Sequence, residues 1–253
     1  MISDNRTYCP RLWDEIFIDK TGQVYSCCHW KPASIGSIYE TPLRELCNNK
    51  VIRAFRGESL DGNLACFRGC TLLDKNEIRM EREGSSIDYG ELRRIKILFA
   101  ETCNIHCVMC WQDGRSKESL DYDTLIRNVD LEPFESIEIQ GGEPLCIKAA
   151  KKFFDYAASK GKKISLLTNG LLVNDEWAER FARHSRFVYF SLNAATKHTR
   201  GREPRVEVGN SAAQHPEGPG RQAALRHGPP DRRAYDARGA QHHRGPAVPQ
   251  PRA

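Results

Sequence analysis

Two rhythms of apolar and polar positions alternate between residues 95 and 192. Residues 95–101 read as a strand, Ile95-Lys96-Ile97-Leu98-Phe99-Ala100 running into Glu101. Residues 136–140, Ser-Ile-Glu-Ile-Gln, alternate with period two, and residues 163–167 and 187–192 read as two further strands. Between them, spacing near 3.6 predicts helices over residues 121–128, 147–160 and 175–184. Gly161 follows the second of these, where a helix favours glycine at C′. Four strand–helix steps at this spacing predict an α/β fold, a parallel sheet with helices packed outside it. In such folds ligands collect at the carboxyl ends of the strands.

The first 85 residues have another pattern. Residues 16–19 and 23–25 flank Lys20-Thr21-Gly22, which predicts a hairpin. Residues 35–38 and 43–46 read as a strand leading to a short helix. A third pattern starts at Gly201. Eight of the thirteen prolines lie beyond it, together with nine Arg, five Asp or Glu and no Lys, Cys, Ile, Phe, Trp or Met. Such a segment buries too little apolar surface to offset its ordering entropy, so residues 201–253 are expected to be disordered. Their Arg/Pro/Gly/Ala/His bias is also what a GC-rich gene yields out of frame. A frameshift near codon 200 is therefore expected, and the coding DNA there would decide it. The division expected is 1–85, 92–200 and 201–253.

Charge changes this picture little. Of the net +5, +4 sits beyond Gly201, nine Arg against five acids, so the first 200 residues are nearly neutral and no nucleic-acid partner is expected. No run is long and apolar enough to span a membrane, and the first residues lack the apolar stretch of a signal peptide. Ten cysteines in such a chain point to a reducing cytoplasm and to metal binding.

Three of those cysteines, Cys103, Cys107 and Cys110, form a C-x3-C-x2-C run where the first of the four strands ends. Three thiolates on a cubane leave one of its four irons free for another ligand. By spacing alone a zinc site or a disulfide remains open, although structural zinc usually takes four ligands in two halves. Gly141-Gly142-Glu143-Pro144 lies at the end of the next strand, Thr168-Asn169-Gly170 at the end of the third, and Ser191 and Asn193 at the end of the fourth. Glycine lets backbone approach a ligand closely, and Glu143 offers a carboxylate to an ammonium.

Together these motifs resemble the radical S-adenosylmethionine (SAM) superfamily. The resemblance implies a partial (β/α) barrel and a [4Fe–4S] cluster held by Cys103, Cys107 and Cys110. It implies that SAM binds through Gly141, Gly142, Glu143 and Pro144, with Ser191 and Asn193 on its ribose or carboxylate and Thr168 and Asn169 on the same rim. Met109 would pack the adenine or serve the core. His106 and Cys146 are expected to be a loop residue and a buried thiol. The implied reaction is reductive cleavage of SAM to a 5′-deoxyadenosyl radical that takes hydrogen from a substrate. An electron donor such as flavodoxin or ferredoxin would feed it. About four β/α steps precede Gly201, fewer than that family's full core, so the barrel is expected to be incomplete and an inactive fragment stays an alternative.

The N-terminal cysteines resemble the SPASM domain or its shorter twitch form. This implies an auxiliary [4Fe–4S] cluster on Cys9, Cys27, Cys66 and Cys70, with Cys28 an alternative to Cys27 and Cys47 a buried helix residue. Its place before the core and the missing central C-x2-C-x5-C depart from that family's pattern. Zinc at the same four cysteines, or His29 as a ligand, are the other readings. The same resemblance suggests a peptide or protein substrate. A non-catalytic iron–sulfur or zinc protein is the alternative from another class.

Overall fold

The computed structural model describes residues 7–28, 33–67, 69–70, 82–107, 109–112 and 116–192. They all fall in the unit Met1–Glu207; the expectations for His29, Asn193 and residues 201–253 lie outside the described residues. In chain order come α1 (Arg11–Asp14), β1 (Glu15–Ile18), β2 (Gln23–Tyr25), β3 (Gly36–Ser37), α2 (Leu43–Leu46) and α3 (Lys50–Leu60). Then follow β4 (Arg94–Leu98), α4 (Tyr122–Asn128), β5 (Ser136–Gln140), α5 (Lys148–Ser159), β6 (Ile164–Thr168), α6 (Asp175–His184) and β7 (Ser185–Phe190).

Among the described residues these strands form one sheet in the order β3-β2-β1-β4-β5-β6-β7. From β1 to β7 every pairing is parallel; β2 and β3 are antiparallel additions at one flank. The expected hairpin is present, and its first strand does more than pair with its second. β1 runs parallel to β4, with Ile16 opposite Ile95 and Ile18 opposite Ile97. Asp14, just before β1, takes both its carboxylate contacts from Arg94 at 2.8 Å and accepts the Arg93 N–H through its carbonyl. The segments on either side of residue 85 therefore share one sheet and one apolar core.

The period-two pattern of the strands sorts their faces. Ile95, Ile97, Ile137, Ile139, Ile164 and Leu166 are buried on one side, and Phe153 and Phe154 of α5 pack there. Phe153 meets Phe99, while Phe154 meets Trp177 and Phe181 of α6. Helix ends follow local chemistry. Asp121 caps α4 through the Thr124 N–H, and Asn174 caps α6 through the Trp177 N–H. At the end of α5, Gly161 takes φ +70° and donates to Ala158, while Lys162 donates to Ala157, the paired bonds of a Schellman motif.

The opposite face is polar toward β1 and β5, with Glu15, Lys96 and Glu138 in contact across three strands. Toward β7 it carries half-exposed Leu167, Phe187 and Tyr189. No helix among the described residues is long and apolar enough to cross a membrane.

Candidate functional site

The segments that follow β4, β5, β6 and β7 meet around a cavity of about 520 Å³. Cys103, Cys107 and Cys110 line it together with Met109, Gly141, Gly142, Thr168, Asn169 and Ser191. Nine residues singled out from four separate stretches of sequence thus share one space. Met109 is 63 % exposed on its wall rather than packed in the core. His106 also faces the cavity.

Backbone contact joins the cysteine loop to the glycine loop. The β4–β5 ladder continues past both strands: Gly142 N–H donates to the Ala100 carbonyl at 3.0 Å and Glu143 N–H to the Thr102 carbonyl at 2.9 Å. A Cβ on Gly142 would stand 2.3 Å from the Thr102 oxygen and 2.4 Å from that of Glu101. One on Gly141 would meet the Ala100 oxygen at 2.8 Å. Only glycine lets these two loops lie this close.

Glu143 does not line the cavity but bonds to two residues that do. It is fully buried, and both its oxygens accept bonds from the protein. Oε1 takes the Leu145 N–H at 3.1 Å and the Thr168 hydroxyl at 2.9 Å; Oε2 takes the Asn169 N–H at 2.8 Å. The side chain therefore clasps the end of β5 to the end of β6. Pro144 is buried in the single 3₁₀ turn that follows. Thr168, itself buried, accepts the Gly170 N–H. Asn169 donates from Nδ2 to Asn104 Oδ1 at 2.7 Å, which ties the third strand end to the cysteine loop.

Other residues line the cavity without any motif to announce them. Glu101 is one, held by Lys20 of the hairpin turn at 2.9 Å; Lys20 also reaches Glu118 at 3.1 Å. The Glu101 hydrogen bond, stronger than the cost of desolvation, keeps the Lys20 ammonium above its ordinary pKa. Trp111 is another, largely exposed beside Cys110. Its place directly after the last cysteine was the only available hint.

A second, smaller cavity of about 90 Å³ is lined by Cys9, Cys27, Cys66 and Cys70 among apolar side chains such as Leu12, Phe55 and Leu64. Ser59 Oγ of α3 accepts the Cys9 N–H at 2.8 Å and so fixes the first of these cysteines. Burial pushes the Cys9 thiol up to about 12, and the nearby Cys27 and Cys70 push the same way. Burial, then Cys27 and Cys70, raises Cys66 as well. Cys28 does not line this cavity; its Sγ accepts from Lys96 Nζ at 3.6 Å. Cys47 is buried at the end of α2 and donates to the Arg44 carbonyl. Cys146 is half-buried and lies outside both cavities, its thiol raised by burial and then by Glu143 and Cys103. None of the ten cysteines is in a disulfide. Among the described residues no three His, Cys, Asp or Glu side chains converge as the ligands of a single metal ion would; in each cavity the thiols stand around a space.

Two family models match parts of this chain. Residues 97–211 match the model of the radical SAM superfamily, and residues 9–71 match that of the SPASM iron–sulfur cluster-binding domain. Over 100 residues the chain is 33 % identical to a probable GTP 3′,8-cyclase of Methanococcus maripaludis, covering 36 % of this chain and 33 % of that one. The chain thus spans about a third of the length of that curated relative. A radical SAM domain implies a SAM-binding [4Fe–4S] cluster and a reductant, and a SPASM domain implies an auxiliary iron–sulfur cluster. Cysteines around two cavities, glycines that fit only against the cysteine loop, and both family matches lead to one assignment: this is a chain with a radical SAM domain and a SPASM-type domain ahead of it.

Proposed function

We propose that this chain cleaves SAM reductively in the larger cavity and uses the resulting radical to take hydrogen from an organic substrate. The observation that carries this is the meeting of Cys103, Cys107 and Cys110 with the Gly141-Gly142 loop and the ends of β6 and β7 around one space large enough for a nucleoside ligand. A [4Fe–4S] cluster held by these three cysteines would supply the one-electron reduction of SAM.

The protein's part is binding and orientation. Cys103, Cys107 and Cys110 would hold the cluster. The backbone of residues 141–142, with no Cβ in the way, meets the amino group of SAM; the Glu143 carboxylate, buried and bonded within the protein, acts by shaping that loop. Ser191, with Asn193 beyond it, and the rim residues Thr168 and Asn169 position the ribose and carboxylate. Met109 offers a soft, polarizable side chain to the adenine. Flavodoxin or ferredoxin would supply the electron in a reducing cytoplasm.

The test is anaerobic. The chain, reconstituted with iron and sulfide, is incubated with dithionite and SAM, and 5′-deoxyadenosine is measured. Turnover is expected and should vanish when Cys103, Cys107 and Cys110 are replaced by alanine. A chain with its full iron load that yields no 5′-deoxyadenosine would instead support a non-catalytic iron–sulfur protein.

The substrate is proposed to be a peptide or protein, by analogy with SPASM-type enzymes. Similarity to a probable GTP 3′,8-cyclase favours a purine nucleotide as the second reading. Deuterium transfer into 5′-deoxyadenosine from a labelled peptide or from labelled GTP separates the two.

Cys9, Cys27, Cys66 and Cys70 are proposed to hold the auxiliary cluster, in the smaller cavity. Iron analysis is expected to give about eight irons per chain, falling to about four when Cys9 and Cys66 are replaced by serine. About four irons together with one zinc in the parent chain would put zinc in that cavity.

A further inference from the structure

We propose that Arg11, balanced by Glu15, sets the reduction potential of the auxiliary cluster. The proposal rests on the reading of the smaller cavity as that cluster's site. Arg11 lies two residues after Cys9 and lines this cavity with the four cysteines. Its Nη1 donates to Glu15 Oε2 at 2.5 Å. Glu15 is fully buried at the start of β1 and is ringed by cations. Arg94 Nε is 3.6 Å from the same oxygen, and Lys96 Nζ is 3.8 Å from the other, which accepts no hydrogen bond.

A buried ion pair costs desolvation energy that an apolar pair would not, so it is weak evidence of stabilisation. Its position suggests another role. Reduction adds one electron to a centre already made anionic by four thiolates, and no bond forms or breaks. A guanidinium on the wall of an apolar cavity favours that added charge, because the low dielectric screens it little. Cluster potentials follow net charge and hydrogen bonding around the sulfurs. Glu15 opposes the effect by placing a negative charge behind the guanidinium. The two residues should therefore shift the potential in opposite directions.

The test uses the full chain with Cys103, Cys107 and Cys110 replaced by alanine, so that the auxiliary cluster alone remains. Its potential is read by titration with dithionite and electron paramagnetic resonance of the reduced state. Arg11→Gln is expected to make reduction about tenfold less favourable, a shift of about 59 mV to more negative potential. Arg11→Lys keeps the charge and should stay near the parent. Glu15→Gln should move the potential the other way. Variants that lower cluster yield yet leave the potential of the assembled cluster unmoved, or that shift it in the same direction, would assign the pair a structural role and overturn the proposal. If the triple-alanine chain binds no iron at all, the auxiliary-cluster reading itself fails, which is a distinct result.

Discussion

Gly142→Ala is expected to lower the rate of 5′-deoxyadenosine formation by about a hundredfold while leaving the auxiliary cluster in place. The new methyl would stand 2.3 Å and 2.4 Å from the carbonyl oxygens of Thr102 and Glu101. These are backbone atoms, so no side-chain rotation relieves the clash. One loop must retreat from the other. Thr102 immediately precedes Cys103, and the retreat breaks the Gly142–Ala100 and Glu143–Thr102 hydrogen bonds that hold the loops in register. Misplacing a reacting group by about 1 Å can cost about a hundredfold in rate. Gly141→Ala should lower the rate as well, because its φ of +157° is one that residues with a Cβ rarely adopt and the new methyl would meet the Ala100 carbonyl oxygen at 2.8 Å. Iron content and 5′-deoxyadenosine rates of the two variants, measured in parallel, check both. Equal activity in Gly142→Ala and the parent would separate the glycine loop from SAM cleavage.

Much of this arrangement was legible in the sequence because it is local. Strand alternation over residues 136–140 and the helix over residues 175–184 match the structure end to end, and Gly161 closes α5 as its position predicts. What escaped were features made by distant parts of the chain. The alternation of Ile16 and Ile18 predicts a strand but cannot name Ile95 and Ile97 as its neighbours across some eighty residues. Helix α3 was missed for a related reason. Its inward face is built around Arg56, a residue type normally found outside. Arg56 is fully buried, where it donates to the carbonyls of Leu12, Cys47 and Ser85 and to Asn48; burial lowers its pKa to about 10. Adjacent cysteines pose the same problem. Spacing cannot choose between Cys27 and Cys28, since successive residues of an extended segment point opposite ways. The fold turns Cys27 to the smaller cavity and Cys28 to Lys96.

Glu143→Ala is expected to cost about 3 kcal/mol or more of stability and most of the SAM-cleaving activity. The loss strands three donors in the interior: the Leu145 and Asn169 N–H groups and the Thr168 hydroxyl. Each buried donor left without a partner costs about 1–3 kcal/mol. Water entering the gap would recover part of this. Glu143→Gln is the sharper probe. Its oxygen can keep the two bonds now made by Oε1, but its NH₂ group would face the Asn169 N–H, donor against donor. Stability should fall less than in Glu143→Ala, and the β5–β6 clasp should loosen at Asn169, the residue tied to Asn104 of the cysteine loop. Urea denaturation and the KM for SAM distinguish this from direct binding. A clasp predicts that stability and activity fall together, with Gln between Glu and Ala. A carboxylate that met the SAM ammonium would instead raise KM sharply in Glu143→Gln while leaving the urea midpoint where it was. Because Glu143 is fully buried and each of its oxygens accepts from the protein, the first outcome is expected.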